Sequence, residues 1–308
     1  FESLLARSRD GGLSWTVWRP ERYVDAAGTG HVAAAGAPGP PRATAPGFVM
    51  RVEGSGYHGN EGARWFASAD RGASWSGPYG FGELLTDDRL RGTRFTSRTA
   101  YLPAEDGETL LFCSARLTEL GGADGISLRE GTFVAAMNED GTVFTVRSWI
   151  VPPDEEYRAV MPAPVRLGAG RLLVALRRKS GRANWIDCYG SDDGGRAWRF
   201  RSRVGETEEA NRFNGNPPAM VRLHDGRLCV VYGHRSREEM LGRTSENGGE
   251  SWSAPFVIRD GFRSANGHPD LGYPRLFERS DGRLAAIYFW CTPERPHTHV
   301  AASVFGVP

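Results

Sequence analysis

Ser191-Asp192-Asp193-Gly194-Gly195-Arg196-Ala197-Trp198 belongs to a pattern that the chain writes four times. The other copies are Ser8-Arg9-Asp10-Gly11-Gly12-Leu13-Ser14-Trp15, Ser68-Ala69-Asp70-Arg71-Gly72-Ala73-Ser74-Trp75 and Ser245-Glu246-Asn247-Gly248-Gly249-Glu250-Ser251-Trp252, and all four fit S-x-[DN]-x-G-x-x-W. The Ser and Asp side chains can bond back to nearby backbone N–H groups, and Gly permits the positive φ of a tight turn. The Trp then lays a large apolar body on the neighbouring layer. One copy is a turn; four copies predict a repeat architecture.

The copies begin at residues 8, 68, 191 and 245, so the intervals are 60, 123 and 54 residues. The middle interval is about twice the others and predicts a degenerate copy inside it. Asn138-Glu139-Asp140-Gly141-Thr142-Val143-Phe144 stands there, with Phe144 near the Trp position. The repeat is therefore roughly 55–65 residues long.

Apolar runs recur in register with each box. Pro164-Val165-Arg166-Leu167 turns at Gly168-Ala169-Gly170 into Leu172-Leu173-Val174-Ala175-Leu176. Trp185-Ile186-Asp187-Cys188-Tyr189 precedes the box and Trp198-Arg199-Phe200-Arg201 follows it. The same plan recurs around Asp106-Gly107, Asp225-Gly226 and Asp281-Gly282, and Asp-Gly between apolar runs is a hairpin signal. Each unit reads as four antiparallel strands, A to D, with the box in the C–D turn. Four-stranded units repeated radially make a β-propeller. A two-sheet sandwich would account for the strands but not for so long a period with a fixed loop. The fold expected is all-β: a single propeller domain over 1–308, with units at 1–19, 45–80, 97–150, 160–203, 217–258 and 272–306. Residues 1–19 hold only strands C and D, and 272–306 only A to C. Counted apart, the two partial units give six blades with an incomplete N-terminal one; closed as one shared blade they give five. Six is the expectation. The Ala/Gly/Pro-rich stretch 25–47 reads as a surface loop.

Composition narrows the function classes. With 38 basic and 37 acidic residues the net charge is +1, which gives no reason to expect nucleic acid or an anionic membrane surface. No apolar run approaches the ~18 residues of a membrane span. Cys113, Cys188, Cys229 and Cys291 lie in apolar runs without CxxC spacing, so buried free thiols are expected and zinc is not, with a disulfide between neighbouring strands left open. The chain opens on Phe1 without a signal-like segment and reads as a processed or trimmed product; its compartment and oligomeric state are not legible. Among its partners a glycan is expected, and no cofactor is.

Strand order assigns the faces. If strand A leaves the channel top, the A–B hairpins and the boxes both lie at the bottom, while the A starts, B ends and B–C loops gather at the top. Unusual polar residues fall at these top positions: Arg98, Arg158, Asn214 with Asn216, and Asp270 with Tyr273 at the A starts; His58 with Asn60, Arg116, Arg177 with Arg178, His234 with Arg235, and Trp290 at the B ends. Any one of the arginines has a plain alternative as a solvated or ion-paired group; their convergence on one mouth is the functional signal. Asn211-Arg212-Phe213-Asn214-Gly215-Asn216-Pro217-Pro218 reads as a rigid wall of that site, and Tyr273 is either a channel phenol or a core residue. His297 and His299 alternate without a third ligand, a weak signal for metal.

The four boxes resemble the Asp-box (BNR) repeats of the sialidase superfamily over nearly the whole chain. That resemblance implies a propeller whose active site lies opposite the boxes, with three Arg on a substrate carboxylate, a Tyr nucleophile aided by a Glu, and an Asp acid/base. Tyr273 stands where the family has its Tyr, and Arg178 or Arg235 ends a strand B as a family Arg does. The chain has no Arg-Ile-Pro motif, Asn216 occupies an A start comparable to that of the family Glu, and only Asp87 and Asp88 lie loosely near an acid/base position.

Three functions follow as alternatives. The first is a sialidase-like exo-glycosidase on an acidic, sialic acid- or uronate-containing glycan. Its catalytic candidates are Tyr273, Asp270 and His234, and its substrate-binding candidates are Arg98, Arg158, Arg178, Asn214, Asn216, Arg235 and His58. The second is a uronate lyase using His58 or His234 with Tyr273. The third is a non-catalytic glycan- or protein-binding propeller.

Overall fold

The computed structural model describes residues 4–19, 39–53, 63–96, 99–103, 108–118, 129–181, 183–209, 214–264 and 267–308. They form 21 short strands and two 3-10 turns, Gly82–Thr86 and Asp88–Leu90. Most of the 25–47 stretch, with His58, Asn60, Arg98 and residues 210–213, lies outside the described residues.

An N-terminal hairpin, β1 (Leu5–Arg7) and β2 (Thr16–Trp18), precedes five antiparallel sheets. Blade 1 is β3 (Val49–Glu53), β4 (Arg64–Ser68) and β5 (Ser76–Gly80). In blade 2 the inner strand is split into β6 (Thr93–Phe95) and β7 (Ala100–Leu102). Both pair with β8 (Thr109–Leu117), which is followed by β9 (Glu130–Met137) and β10 (Phe144–Val151). Blade 3 is β11 (Arg158–Gly168), β12 (Arg171–Lys179), β13 (Asn184–Ser191) and β14 (Arg199–Glu208). Blade 4 is β15 (Pro218–Arg222), β16 (Leu228–His234), β17 (Glu239–Ser245) and β18 (Phe256–Arg259). Blade 5 is β19 (Gly272–Glu278), β20 (Leu284–Trp290) and β21 (His299–Phe305).

One central cavity of about 430 Å³ is lined by residues of β3, β11, β15 and β19, and by β7 with the preceding Thr99. Five inner strands mean five blades. The six-blade expectation is corrected on this point: among the described residues the hairpin β1–β2 joins no other sheet and lines no part of the channel. The hairpin sits between blades 5 and 1. Gly12 faces Ala285 and Phe277, Arg279 donates to the carbonyl of Asp10 at 2.9 Å, and Arg7 donates to the carbonyl of Arg71 at 2.8 Å. Pro162, Pro164 and Pro218 all face the channel, where an inner strand has no further neighbour and a missing N–H costs little.

The core is divided into slabs between successive sheets. Side chains alternate along a strand, so Leu172, Val174 and Leu176 enter the slab shared with Phe112 of blade 2. Leu173 and Ala175 enter the slab shared with Val230 and Tyr232 of blade 4. A strand buried on both faces needs no polar alternation, which is why β12 and β16 read as continuous apolar runs. Each large side chain buried this way is worth about 1.5–3 kcal/mol. All four cysteines are free and buried in these slabs.

The boxes bind as their sequence implies. Ser191 Oγ accepts the Gly195 N–H at 2.8 Å, and Asp193 Oδ1 accepts those of Arg196 and Ala197 at 2.9 and 3.0 Å. In the degenerate copy Asn138 Oδ1 takes the Thr142 and Val143 N–H groups at 2.9 and 3.0 Å. Gly194 N–H reaches the carbonyl of Gly170 in the A–B hairpin at 2.8 Å, which puts boxes and A–B hairpins at one end. The boxes also tie blades together. Trp198 Nε1 donates to Ser148 Oγ at 3.2 Å while Ser148 Oγ donates to the Gly195 carbonyl at 2.7 Å. Trp252, Ser202 and Gly249 repeat that pair of bonds at 2.9 and 2.6 Å one blade on.

Candidate functional site

At the end opposite the boxes, the A starts and B ends of blades 3 to 5 carry a band of buried polar side chains. A charge taken out of water must be paired, and Arg158, Arg178 and Arg235 are. Arg158 and Glu130, each under 5% exposed, form an ion pair between blades 3 and 2. Arg178 lies 3.6 Å from Asp187 and 3.8 Å from Glu155, with Asp187 also accepting from Trp185 Nε1 at 2.7 Å. Arg203 stacks over the Trp185 ring at 4.7 Å. Arg177 reaches Met161 Sδ at 3.5 Å. Arg235 donates to Asp270 Oδ1 at 3.0 Å across the blade 4–5 boundary.

The asparagines serve the backbone. Asn184 Oδ1 accepts the Gly215 N–H at 2.9 Å and Asn216 Oδ1 accepts the Tyr273 N–H at 3.2 Å, each joining one blade to the entry of the next. Asn216 is fully buried, and a Cβ on Gly272 would come within 2.0 Å of its Oδ1. Asn214 is half-buried, its oxygen held by Lys179 Nζ at 2.7 Å.

Tyr273 has φ +54°, an unusual backbone for a bulky residue, in an irregularity of the β19–β20 ladder between Gly272 and Arg275. Met161, at φ +58°, occupies the matching irregularity of β11, and each is followed by proline. The Tyr273 ring packs against Phe289 with centroids 5.9 Å apart, and its hydroxyl has no partner among the described residues. Asp270 stands three residues earlier with its side chain 55% exposed.

His234 is buried. Its Nδ1 accepts the Arg237 N–H at 3.3 Å, so in the neutral ring the proton sits on Nε2, 3.6 Å from Glu209. Burial first, and Arg237 second, lower its pKa below the ordinary 6.5. At neutral pH His234 is thus uncharged, with Nε2 facing Glu209 beyond hydrogen-bond distance.

The sequence candidates therefore separate. Tyr273, Asp270, Asn216, Arg235 and His234 come together around blades 4 and 5, whereas Arg158 and Arg178 lie in blade 3 on carboxylates of their own. Trp290 is fully buried against Phe262 and Tyr288. Arg116 is half-buried on β8, and Asp87 caps a 3-10 turn with its side chain on Arg89. His299 Nδ1 contacts the carbonyl of His297, and no metal-holding group of His, Cys, Asp and Glu occurs among the described residues. Sequence reading missed Glu130, Asp187 and Lys179. A signal existed for the first two: each is a lone carboxylate in an otherwise apolar strand, and such a group needs a cation beside it.

A family model for the BNR repeat-like domain matches residues 18–286. The chain belongs to that family. No curated protein sequence matches it. Among solved structures, this BNR chain is similar to a protein of unknown function from Dyadobacter fermentans (TM-score 0.62, 19% identity, 80% of this chain and 64% of that one). It therefore spans less than two thirds of that protein. It is also similar to the α-L-arabinanase of Penicillium chrysogenum complexed with arabinobiose (TM-score 0.60, 16% identity, 98% and 84%). The NanB sialidase of Streptococcus pneumoniae matches at TM-score 0.50 with 14% identity over 80% of this chain and 36% of that one. At such identities the likeness is one of fold. No helix among the described residues is long and apolar enough to cross a membrane.

Proposed function

We propose that this BNR propeller is an exo-acting glycoside hydrolase whose site lies at the channel mouth of blades 4 and 5, with an acidic glycan as substrate. The observation that carries the reading is Tyr273, a phenol without a partner among the described residues, held at positive φ by the Asn216 carboxamide beside the Arg235–Asp270 couple. Backbone strain of this kind collects at functional positions, and the inference runs from the outlier to the role. In this reading Tyr273 attacks or stabilises the anomeric carbon, the exception among retaining glycosidases. The Asp270 carboxylate takes the phenol proton as the Tyr273 oxygen bonds the anomeric carbon and passes it to the leaving oxygen as the glycosidic bond breaks. Water then releases the sugar and the proton returns to Tyr273, while Arg235 orients Asp270 and offers its remaining N–H groups to an anionic substituent. The carbohydrate chemistry in the names of the arabinanase and the sialidase is in keeping with a glycan substrate.

The test is a panel of fluorogenic sialosides, glucuronides and arabinofuranosides together with intact polysaccharides. Turnover of an anionic glycoside, reduced about 10³-fold or more in kcat by Tyr273→Phe, is expected. No turnover of any member, or an unchanged Tyr273→Phe variant, overturns it. The internal pairing of Arg158 and Arg178 favours a second reading, a glycan-binding propeller without catalysis, and glycan binding without product is its signature. A lyase would instead give an unsaturated, ultraviolet-absorbing product.

A further inference from the structure

The Trp–Ser staple that joins blade 2 to blade 3 and blade 3 to blade 4 does not continue beside the N-terminal hairpin. Ser148 and Ser202 each stand four residues after the residue at the box Trp position, Phe144 and Trp198. Counted the same way from Trp15, the hairpin has Arg19 there, which cannot accept from an indole N–H. On the other side blade 5 stops at its third strand among the described residues. Trp15 therefore donates to the Gly12 carbonyl of its own box at 3.2 Å and stays 40% exposed. Along this seam a cavity of about 410 Å³ opens between the hairpin and blades 1 and 5, lined by Trp15, Trp18 and Trp75 with Arg7 and Arg71. A second depression of about 480 Å³ adjoins it across Arg7 and Trp18 and takes in Arg9. Among the described residues no acidic side chain lines either one. The box carboxylates nearby are occupied. Asp10 takes the Ser14 N–H at 2.9 Å and the Ser8 hydroxyl at 2.8 Å, and Asp70 takes those of Ser74 and Ser68 at 2.8 and 2.7 Å. Arg7 lies over the Trp18 ring at 5.5 Å and donates to the Arg71 carbonyl. The side chains of Arg9 and Arg71 have no hydrogen-bond or ion-pair partner among the described residues.

We propose that this seam at the box end is a second carbohydrate site, remote from the channel mouth, which anchors an acidic polysaccharide with sugar rings on Trp15 and Trp18 and acid groups on Arg9 and Arg71. The face of an indole is electronegative, and the C–H-rich face of a pyranose packs against it. Guanidinium groups stay protonated and bind oxyanions through paired N–H groups. Arginines interleaved with aromatic rings thus suit a chain that offers ring faces and charges in alternation, as a polymer of acidic sugars does. Largely apolar walls with a few polar groups are also the common make-up of a ligand cavity. A nucleic acid offers the same two features, but the net charge of +1 lacks the basic excess of a nucleic-acid surface. The inference rests on the acidic-glycan part of the proposed function and on none of its chemistry: a chain held at the seam is anchored whether or not Tyr273 cleaves it.

The test is calorimetric titration of the full chain with hexagalacturonate, neutral dextran and an oligothymidylate, in the Tyr273→Phe background so that no product forms. Saturable hexagalacturonate binding is expected, weakened by salt and reduced about tenfold or more when Arg9→Gln and Arg71→Gln are combined. Trp15→Ala should weaken it as well, whereas Arg91→Gln, a surface control paired with Asp88, should bind as its parent does. Absence of saturable hexagalacturonate binding, equal binding of dextran, tighter binding of the oligothymidylate, or undiminished binding by the folded double variant overturns the proposal. If the double variant fails to fold, Arg9→Gln and Arg71→Gln each binding as tightly as the parent overturns it instead. Because these titrations need no turnover, failure of the glycosidase reading leaves the seam standing, and turnover by a protein without seam binding removes only the seam.

Discussion

At the scale of single residues, burial decides what each charged group is free to do. Arg158 and Glu130 exclude water from one another, and removing one partner of such a buried pair costs about 3–5 kcal/mol. Arg158 is thereby committed to the fold. Arg235 differs because its partner Asp270 is half in solvent. His234 gives a pH test. Its folded pKa lies below the ordinary 6.5, so the unfolded chain binds the proton more readily. The stability that neutral His234 contributes is present above pH 6.5 and is lost as pH falls through the depressed folded value. Urea unfolding of His234→Gln compared with the parent at pH 7.5 and 5.5 should show a shallower loss on acidification in the variant. An identical loss in both would refute the assignment.

At the scale of elements, the propeller is stapled at both ends by different chemistry. The boxes staple the bottom through Trp198 with Ser148 and Trp252 with Ser202. Asn184 and Asn216 staple the top through backbone N–H groups. Gly272 makes the second top staple possible: it has φ +101° and leaves room for the Asn216 carboxamide. Gly272→Ala should cost more than about 3 kcal/mol, and Asn216→Ala about 1–3 kcal/mol through a lost acceptor. Because the Ala methyl collides with that same carboxamide, the double variant should cost less than the sum of the two in denaturant titrations. Additive costs would argue against the clash. Either single change should also loosen Tyr273.

At the scale of the molecule, one fully buried cysteine in each of blades 2 to 5 reports how the ring opens. Burial raises the pKa of Cys113 and Cys188 and pushes that of Cys229 up to about 12, so none of these offers thiolate to a reagent in the native state. A thiol reagent should therefore label nothing on the timescale on which the denatured chain labels at four sites. Under mild denaturant all four should appear together if the ring unfolds as a unit, whereas early labelling of Cys113 would show blade 2 opening by itself. The same scale governs the blade count. Residues 1–19 and 272–306 were legible as partial units, but whether the N-terminal pair would reach the channel was a matter of packing around a centre. The answer is a hairpin seated on the rim of five blades.

Much of this was written locally. The repeat, the strand order within it, the box turn and the face opposite it follow from spacing, Gly and Asp-Gly positions and apolar runs, because turns and alternation are short-range. The candidates Tyr273, Asp270, Asn216 and Arg235 were likewise legible as polar residues at strand ends. Which carboxylate neutralises which arginine was not: Glu130 meets Arg158 and Asp270 meets Arg235 only after separate blades have packed side by side. The tertiary structure alone also decided that Asn216 faces backbone and that five strands ring the channel. Ion pairing and burial depend on distances between segments far apart in sequence, and those distances exist only once the ring has closed.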